Sequence, residues 1–544
     1  MQVHPKGSTA RVLLSAVFGP YAQDDEYGSR AINPMELYHN QVTRVQGPFS
    51  LRMFHRSWGI LFIQKNIRAP CTVLDFPTLP DFEKEITENH YDIIGISSII
   101  VNVGKVKEMC RRARLLSPHS EIIVGGHVTA IPGIEQMVDA DHFVRGEGVR
   151  WMREHLGEDP NAKLEHPAII SGYDHQALGF RPKRSKNTMA ATVIPSAGCP
   201  MGCNFCTTSS FFGGKGKFVN FFDSGQELFD IMCKLEVDTG AQAFFVMDEN
   251  FLLQKPRAMD LLALMREAGK SWQLYVFSSA NAIRKYTMDE LVALGVSWIW
   301  LGLESPNSTY SKLDGTDTVE LIKELRKNGI KTLGSTIVGL EHHTPENLPD
   351  EIRHAISHDT DFHQFMLYTP VPGTPLYTQM RDEGRLIDVD LADIHGQWKF
   401  NFHHAAISRE QSKQMLDNAF QMDYELNGPS LYRLCHTTFK GWLRHKNHPE
   451  PRVRERFTRE VQSLYVYGAM LWAMEHYLRR ANVEVGERIR KLRKEIYREF
   501  GWFARMTGTL LGPVLLWTSR REQRRLNEGI TYEPAVVIER TNWA

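Results

Sequence analysis

The chain has 544 residues, several times the length of a typical ~100–150-residue domain, which excludes a single compact core and leads us to expect about three domains. Apolar residues make up 42% and charged residues 24%, with 28 Phe, 17 Tyr and 11 Trp, so a disordered or fibrous chain is excluded as well. Lys plus Arg (64) equals Asp plus Glu (64), which leaves no overall field to recruit nucleic acid. Seven cysteines are too few for a disulfide framework. Three of them crowd into eight residues, which predicts thiolate chemistry in a reducing, cytoplasmic setting. The start MQVHPKGSTARVLLSAVFG lacks the pattern of a signal peptide, and no stretch reaches the roughly 20 apolar residues of a spanning helix.

From residue 11 to about 149, short β-rich runs alternate with polar helical stretches: RVLLSAVF, CTVLDF, DIIGISSI, EIIVGG and DHFVRG. In residues 103–117, Val106, Met109, Cys110 and Ala113 recur at helical spacing. This alternation predicts a doubly wound, Rossmann-like parallel sheet over residues 1–151, with ligands at the carboxyl ends of its strands. Residues 152–188, with Pro160, Pro167 and Pro182, predict a linker. A second series of six strand-helix units spans 189–404: TVIPSAG, AFFVMDEN, WQLYVFSS, SWIWLGLES, KTLGSTIVGL and FHQFMLYTP. Six such units favour a partial (β/α)6 TIM-type barrel over another open sheet. Residues 405–544 are helical in composition, rich in Arg, Trp, Tyr and Leu.

Directly after the first barrel strand comes Cys199-Pro-Met-Gly-Cys203-Asn-Phe-Cys206. Three thiolates at this spacing can ligate three irons of a cubane cluster and leave the fourth open for substrate or cofactor. A structural zinc site would want a fourth protein ligand, and the other cysteines, Cys71, Cys110, Cys233 and Cys435, lie singly in predicted strands or helices. The loop resembles the signature of the radical S-adenosylmethionine (SAM) superfamily over residues 190–400. The resemblance implies a [4Fe-4S] cluster on Cys199, Cys203 and Cys206, with SAM on the open iron and its reductive cleavage to a 5′-deoxyadenosyl radical. It also implies cofactor roles at the strand ends: Phe205 beside adenine, Asp248 and Glu249 for the SAM amino group, and Gly339 beside adenine. Ser278, Ser279, Glu304 and Ser305 would bond the ribose or methionine moiety. Plainer roles stand beside these: loop packing for Phe205, helix capping or solvation for the carboxylates, and backbone geometry for the glycines.

In the first sheet the strand ends carry Ser97, Ser98 and Asn102; Gly125, Gly126, His127 and Thr129; and Gly146 and Glu147. No G-x-G-x-x-G pattern follows the first strand, which disfavours NAD. The set is similar to the cobalamin (B12)-binding domain of B12-dependent radical SAM enzymes, and the resemblance implies that these residues hold cobalamin. The D-x-H-x-x-G motif is absent: His55-Arg-Ser-Trp-Gly59 has other spacing and no aspartate, so no histidine ligand to cobalt is expected. His127 is expected as a cofactor-loop residue, and its plain alternative is a satisfied surface histidine.

Residues 433–525 hold 21 Lys and Arg against 9 Asp and Glu, interleaved with aromatics and with the run Leu510-Leu-Gly-Pro-Val-Leu-Leu-Trp517. Two readings stand. One is a helical cap that buries Trp502, Leu510 and Trp517 against the barrel. The other is an interfacial contact with anionic lipid. No nucleic-acid motif accompanies the basic residues.

Together the resemblances imply a B12-dependent radical SAM C-methyltransferase that moves a methyl group from methylcobalamin to an unactivated carbon of a small-molecule or lipid substrate. An electron donor of flavodoxin or ferredoxin type is implied, and peripheral membrane association is compatible with the tail. The alternatives are radical cyclisation, oxidation or carbon–carbon coupling without methyl transfer, and a non-catalytic iron–sulfur or cobalamin sensor.

Overall fold

The structure is a computed structural model and describes residues 3–21, 26–27, 36–180, 190–303 and 317–543. Five parallel strands form the core of the first sheet, in the order Cys71–Asp75, Val12–Ala16, Ile93–Ser97, Glu121–Gly125 and His142–Val144. The order reverses between Val12–Ala16 and Ile93–Ser97, and a crevice opens at such a switch point beyond the strand carboxyl ends. Both central strands are apolar on both faces because helices cover both sides. On one side Val106, Met109, Cys110 and Ala113 of the helix Val103–Leu116 join a core with Leu13, Ile94 and Ile96.

The edge of this sheet departs from the sequence reading. Val537–Thr541 runs antiparallel to Cys71–Asp75, with Glu539 opposite Val73, so the chain end returns to the first domain rather than staying in a helical tail. The predicted linker also contains structure: Ile169–Ile170 pairs with the edge of the second sheet, and Tyr173–Gln176 pairs with Arg52–Phe54.

The second sheet holds six parallel strands in sequence order: Ala190–Val193, Ala243–Val246, Gln273–Ser278, Val296–Gly302, Lys331–Val338 and Phe362–Leu367. It is the expected partial barrel. Its strands alternate: Phe244, Val246, Leu274, Val276, Ile299 and Leu301 enter the core beneath the outer helices. The intervening Phe245, Tyr275, Phe277, Trp298 and Trp300 turn to the opposite, inner face and stay half-buried. Tyr38, Val42 and Leu51 from the first domain pack on Leu333 and Phe362, covering the inner side of the last two strands.

The carboxyl-terminal helices divide by task. Pro451–Gln462 is a true cap: Val453 and Phe457 join the barrel core, and the buried Arg456 donates to the Val292 carbonyl at 2.9 Å. Arg433, also buried, pairs with Asp423 at 2.6 Å and donates to the Thr360 carbonyl at 2.7 Å. Three of the basic residues counted in the sequence, Arg433, Arg452 and Arg456, are buried inside the protein. The long helix Val483–Asn527 breaks at Gly501, whose φ of 76° no other residue adopts easily. Beyond the break its small residues Ala504, Gly508, Gly512 and Ser519 are buried, with Gly512 set against the Trp472 ring. Its large apolar residues face outward: Trp502 is 73% exposed, Leu510 65% and Trp517 60%. The expectation that these three are buried against the barrel is overturned, because only glycine-sized side chains let this helix approach its neighbour closely.

Candidate active site

All seven cysteines are thiols. The loop carrying Cys199, Cys203 and Cys206 follows the short strand Ser196–Ala197, which pairs with Val219–Asn220 and closes the loop at its base. Internal hydrogen bonds hold its shape. The Cys206 N–H donates to the Cys203 carbonyl at 3.0 Å, and the Ser209 hydroxyl donates to the Cys199 carbonyl at 2.7 Å. The Ser209 N–H donates to Cys206 Sγ at 3.4 Å at the start of the helix Thr207–Phe211. From outside, the Leu376 N–H donates to the Asn204 carbonyl at 3.0 Å, and the Asn204 amide donates to the Tyr368 hydroxyl at 3.4 Å.

Phe205 meets Tyr368 edge-on, with ring centroids 6.3 Å apart, and remains half-buried beside the loop. Asp248 is otherwise engaged: its carboxylate is buried against the Arg257 guanidinium and accepts the Asn250 N–H at 3.0 Å. A structural ion pair thus holds Asp248 in place at this strand end. Glu249 is half-buried at the same strand end. Ser278 donates to the Asn250 side-chain carbonyl and Ser279 accepts from its amide, both at 3.2 Å, which joins two strand ends in one buried polar network. At Gly339, φ is 81° and a Cβ would collide with the Phe400 ring, so packing alone requires the glycine. Glu304 and Ser305 lie outside the described residues.

Across from this loop stand the strand ends of the first sheet. Gly126 has φ of 82°, and a Cβ there would stand 2.5 Å from the Ser98 carbonyl oxygen. A β-carbon at Gly125 or Gly146 would instead meet nothing within 4 Å, so both line open space. Thr129 donates to the Gly126 carbonyl at 2.8 Å, and the Val128 N–H donates to the Ser98 carbonyl at 3.1 Å, locking the Ser97, Ser98 and Gly126 loops together. Asn102 is buried, and neither its amide nitrogen nor its oxygen has a partner among the described residues. An orphaned buried amide costs about 1–3 kcal/mol, a cost a bound ligand would remove. The open glycine cradle and this donor-acceptor pair fit the amide-bearing rim of a corrin. Glu147 does something else: its carboxylate caps the helix Gly148–His155, accepting from the N–H groups of Val149 and Arg150.

His127 is half-buried. Its ring stacks on Phe211, the last residue of the helix that follows Cys206, and burial lowers its pKa to about 4. Beside it, a β-carbon on Gly373, in the loop after the last barrel strand, would stand 2.7 Å from the Ala130 methyl. The sheet and the barrel thus present their carboxyl ends to each other. His55, excluded above as a cobalt ligand by its spacing, is half-buried and stacks on Phe245 of the barrel, centroids 5.7 Å apart.

The inner barrel wall was missed by the sequence reading. Phe277 and Trp300 stack at 4.9 Å, Phe245 contacts Phe277 at 5.6 Å and Tyr275 meets Trp298 at 5.9 Å. The Trp300 indole donates to Ser335 at 2.7 Å, and Ser335 donates to Gln364 at 2.9 Å. The signal was available as aromatics at every second position of neighbouring strands.

A cysteine-bearing partial barrel set against an open sheet with a glycine cradle defines a two-cofactor radical enzyme. The Radical SAM superfamily matches residues 193–355, and the B12 binding domain matches residues 61–155. A bacteriochlorophyllide d C-8(2)-methyltransferase of Chlorobaculum tepidum is 23% identical over 67% of this chain and 83% of its own length. A hopanoid C-2 methylase of Rhodopseudomonas palustris is 22% identical over 61% of this chain and 63% of its own. The structure of the radical SAM methyltransferase TsrM from Kitasatospora setae, with cobalamin and a [4Fe-4S] cluster bound, superposes with a TM-score of 0.51. That comparison has 14% identity and covers 84% of this chain and 99% of that one. The chain thus combines a Radical SAM domain with a B12 binding domain, and its cofactors are a [4Fe-4S] cluster, SAM and cobalamin.

Proposed function

We propose that this enzyme methylates a carbon atom of an apolar, ring-bearing small molecule. The carrying observation is the aromatic inner wall of the barrel: Phe245, Phe277 and Trp300 present ring faces and edges near strand ends that also bear the cysteine loop. Such a wall suits a flat substrate, since offset and edge-on ring contacts contribute about 0.5–1.5 kcal/mol each beyond area burial. The bound groups supply hydrogen abstraction from an unactivated carbon and delivery of a methyl group to it. The chain's own residues bind and orient: Cys199, Cys203 and Cys206 hold the cluster, Phe205, Glu249, Ser278, Ser279 and Gly339 border SAM, and Asn102 with Gly125, Gly126 and Gly146 receives cobalamin. The stacked His127 and Phe211, together with the Ala130–Gly373 contact, keep water out between the two halves. The ring systems named for the bacteriochlorophyllide and hopanoid enzymes agree with this substrate class.

The enzyme needs a single-electron donor of flavodoxin or ferredoxin type in a reducing compartment. No helix among the described residues is long and apolar enough to cross a membrane. Beyond Gly501, however, Trp502, Phe503, Met506, Leu510, Val514 and Trp517 form an exposed apolar stripe, with Arg505, Arg520, Arg521 and Arg524 on the same helix. Apolar side chains outward and cations alongside suit an interfacial contact with anionic phospholipid, which would bring the active site to a membrane-dissolved substrate.

The test is an anaerobic assay with reductant, cobalamin and SAM deuterated at its methyl group, using lipid and pigment extracts as substrate. Label should appear in a ring-bearing product together with 5′-deoxyadenosine. Formation of 5′-deoxyadenosine with an unlabelled, rearranged product would replace methylation by cyclisation or coupling.

A further inference from the structure

At the amino ends of the first sheet, away from the cofactor loops, four chemistry-bearing side chains converge. Glu121 opens the strand Glu121–Gly125, His142 opens His142–Val144, and His155 closes the helix Gly148–His155. His142 and His155 each direct Nε2 at the Glu121 carboxylate, the second at 3.0 Å, and the ligand atoms of the three residues lie within 4.8 Å of one another. A fourth imidazole joins from the start of the chain: His4 Nε2 stands 3.9 Å from the same Glu121 oxygen that faces His155. The His4 N–H donates to the His155 carbonyl at 2.8 Å, which fixes this segment against the end of the helix.

We propose that His4, Glu121, His142 and His155 form a structural zinc site. The donor set is one carboxylate and three imidazoles, the nitrogen and oxygen ligands that zinc takes at about 2.0–2.2 Å. The Glu121, His142 and His155 donors already lie within 4.8 Å of one another, while His4, 3.9 Å from Glu121, must swing closer to the other imidazoles to reach the ~3.3 Å donor spacing of tetrahedral bonds of that length. Among the described residues the ion-pair partners of Glu121 are these imidazoles, with no Lys or Arg to neutralise it. Trp151 stacks on the His155 ring at 4.9 Å and meets His142 edge-on at 5.5 Å, giving the site an apolar wall that orients both ligands. Three chain segments far apart in sequence meet here: the amino-terminal residues, the middle of the sheet, and the helix leading to the barrel. A metal at their junction would clasp the amino terminus to the first domain without touching the catalytic face.

Zinc content is measured by mass spectrometry after dialysis of chelator-treated protein against zinc and then metal-free buffer. A variant in which all three loop cysteines are replaced by Ala serves as the background, so that thiolate binding is removed. That background should retain about one zinc per chain, and adding His142→Ala with His155→Ala should abolish retention. Glu121→Gln, which keeps the shape of the site and its ability to accept hydrogen bonds, should weaken binding at least tenfold. In the protein with intact cysteines, zinc should raise the unfolding temperature, and the His142→Ala, His155→Ala pair should remove that rise while leaving iron content unchanged. No zinc retained by a folded background lacking the loop cysteines, or equal retention after the histidine and glutamate changes, would overturn the site.

Discussion

The imidazole of His127 stacks on the phenyl ring of Phe211 with centroids 4.5 Å apart and planes 27° from parallel. One follows the Gly125-Gly126 strand end of the first sheet and the other ends the turn of helix after Cys206, so this contact joins the first sheet to the cysteine loop directly.

Replacing Cys199, Cys203 or Cys206 with Ala should remove the cluster's visible absorption and reductive SAM cleavage together. The loop's hydrogen bonds run largely through Ser209, Asn204 and backbone groups, so the variants should fold normally by circular dichroism. A variant with full iron content would remove that cysteine from the ligand set.

Gly125 and Gly126 should respond differently. Gly126→Ala forces a β-carbon against the Ser98 carbonyl and strains a φ of 82°, costing on the order of 1–3 kcal/mol of stability. Gly125→Leu meets open space, so it should preserve stability and block cobalamin uptake, read by absorbance after gel filtration. Cobalamin bound normally by Gly125→Leu would move the corrin elsewhere.

Acid should destabilise the domain contact in a way that traces to His127. In the unfolded chain its imidazole protonates near 6.5, but burial lowers the native value to about 4. As pH falls through this window the unfolded state takes up a proton that the folded state refuses, so stability present above pH 6.5 is progressively lost, by on the order of 3 kcal/mol at pH 4. His127→Phe keeps a ring against Phe211 and should flatten the decline in denaturation midpoint between pH 6.5 and 4.5. An unchanged slope would place His127 in contact with water.

Asp248→Asn should act on stability before it acts on cofactor binding. Its removal leaves the buried Arg257 guanidinium uncompensated, a loss of about 3–5 kcal/mol. Chemical denaturation should show it. Unaltered stability with weakened SAM binding would restore Asp248 to the cofactor site.

The outward stripe predicts co-sedimentation with anionic vesicles and little with neutral ones. Each Arg near the surface contributes about 1 kcal/mol over a Debye length of ~8 Å, so high salt should weaken binding. Trp502→Ser, Leu510→Ser and Trp517→Ser together should abolish it. Equal, negligible sedimentation with both vesicle types would refute the lipid contact.

Local patterns decided much of this protein in advance. The alternation of β runs and helices is written at short range, and so is the Cys199, Cys203 and Cys206 spacing, because three ligands on one loop need no distant partner. The glycines at the strand ends of the first sheet were legible for the same reason: close backbone approach leaves a residue-level mark. What the tertiary structure alone decided are relationships between segments far apart. The ion pair of Asp248 with Arg257 and the stacking of His127 on Phe211 each join residues that no local pattern relates. Basic charge in the tail could not be apportioned from composition. Arg433 and Arg456 turn inward to carbonyls and a carboxylate, while the helix beyond Gly501 turns its large apolar face outward. Helical periodicity finds a stripe but not its direction, because direction depends on which face a neighbour can approach. Here Gly508 and Gly512 let the small-residue face approach Tyr497 and Trp472.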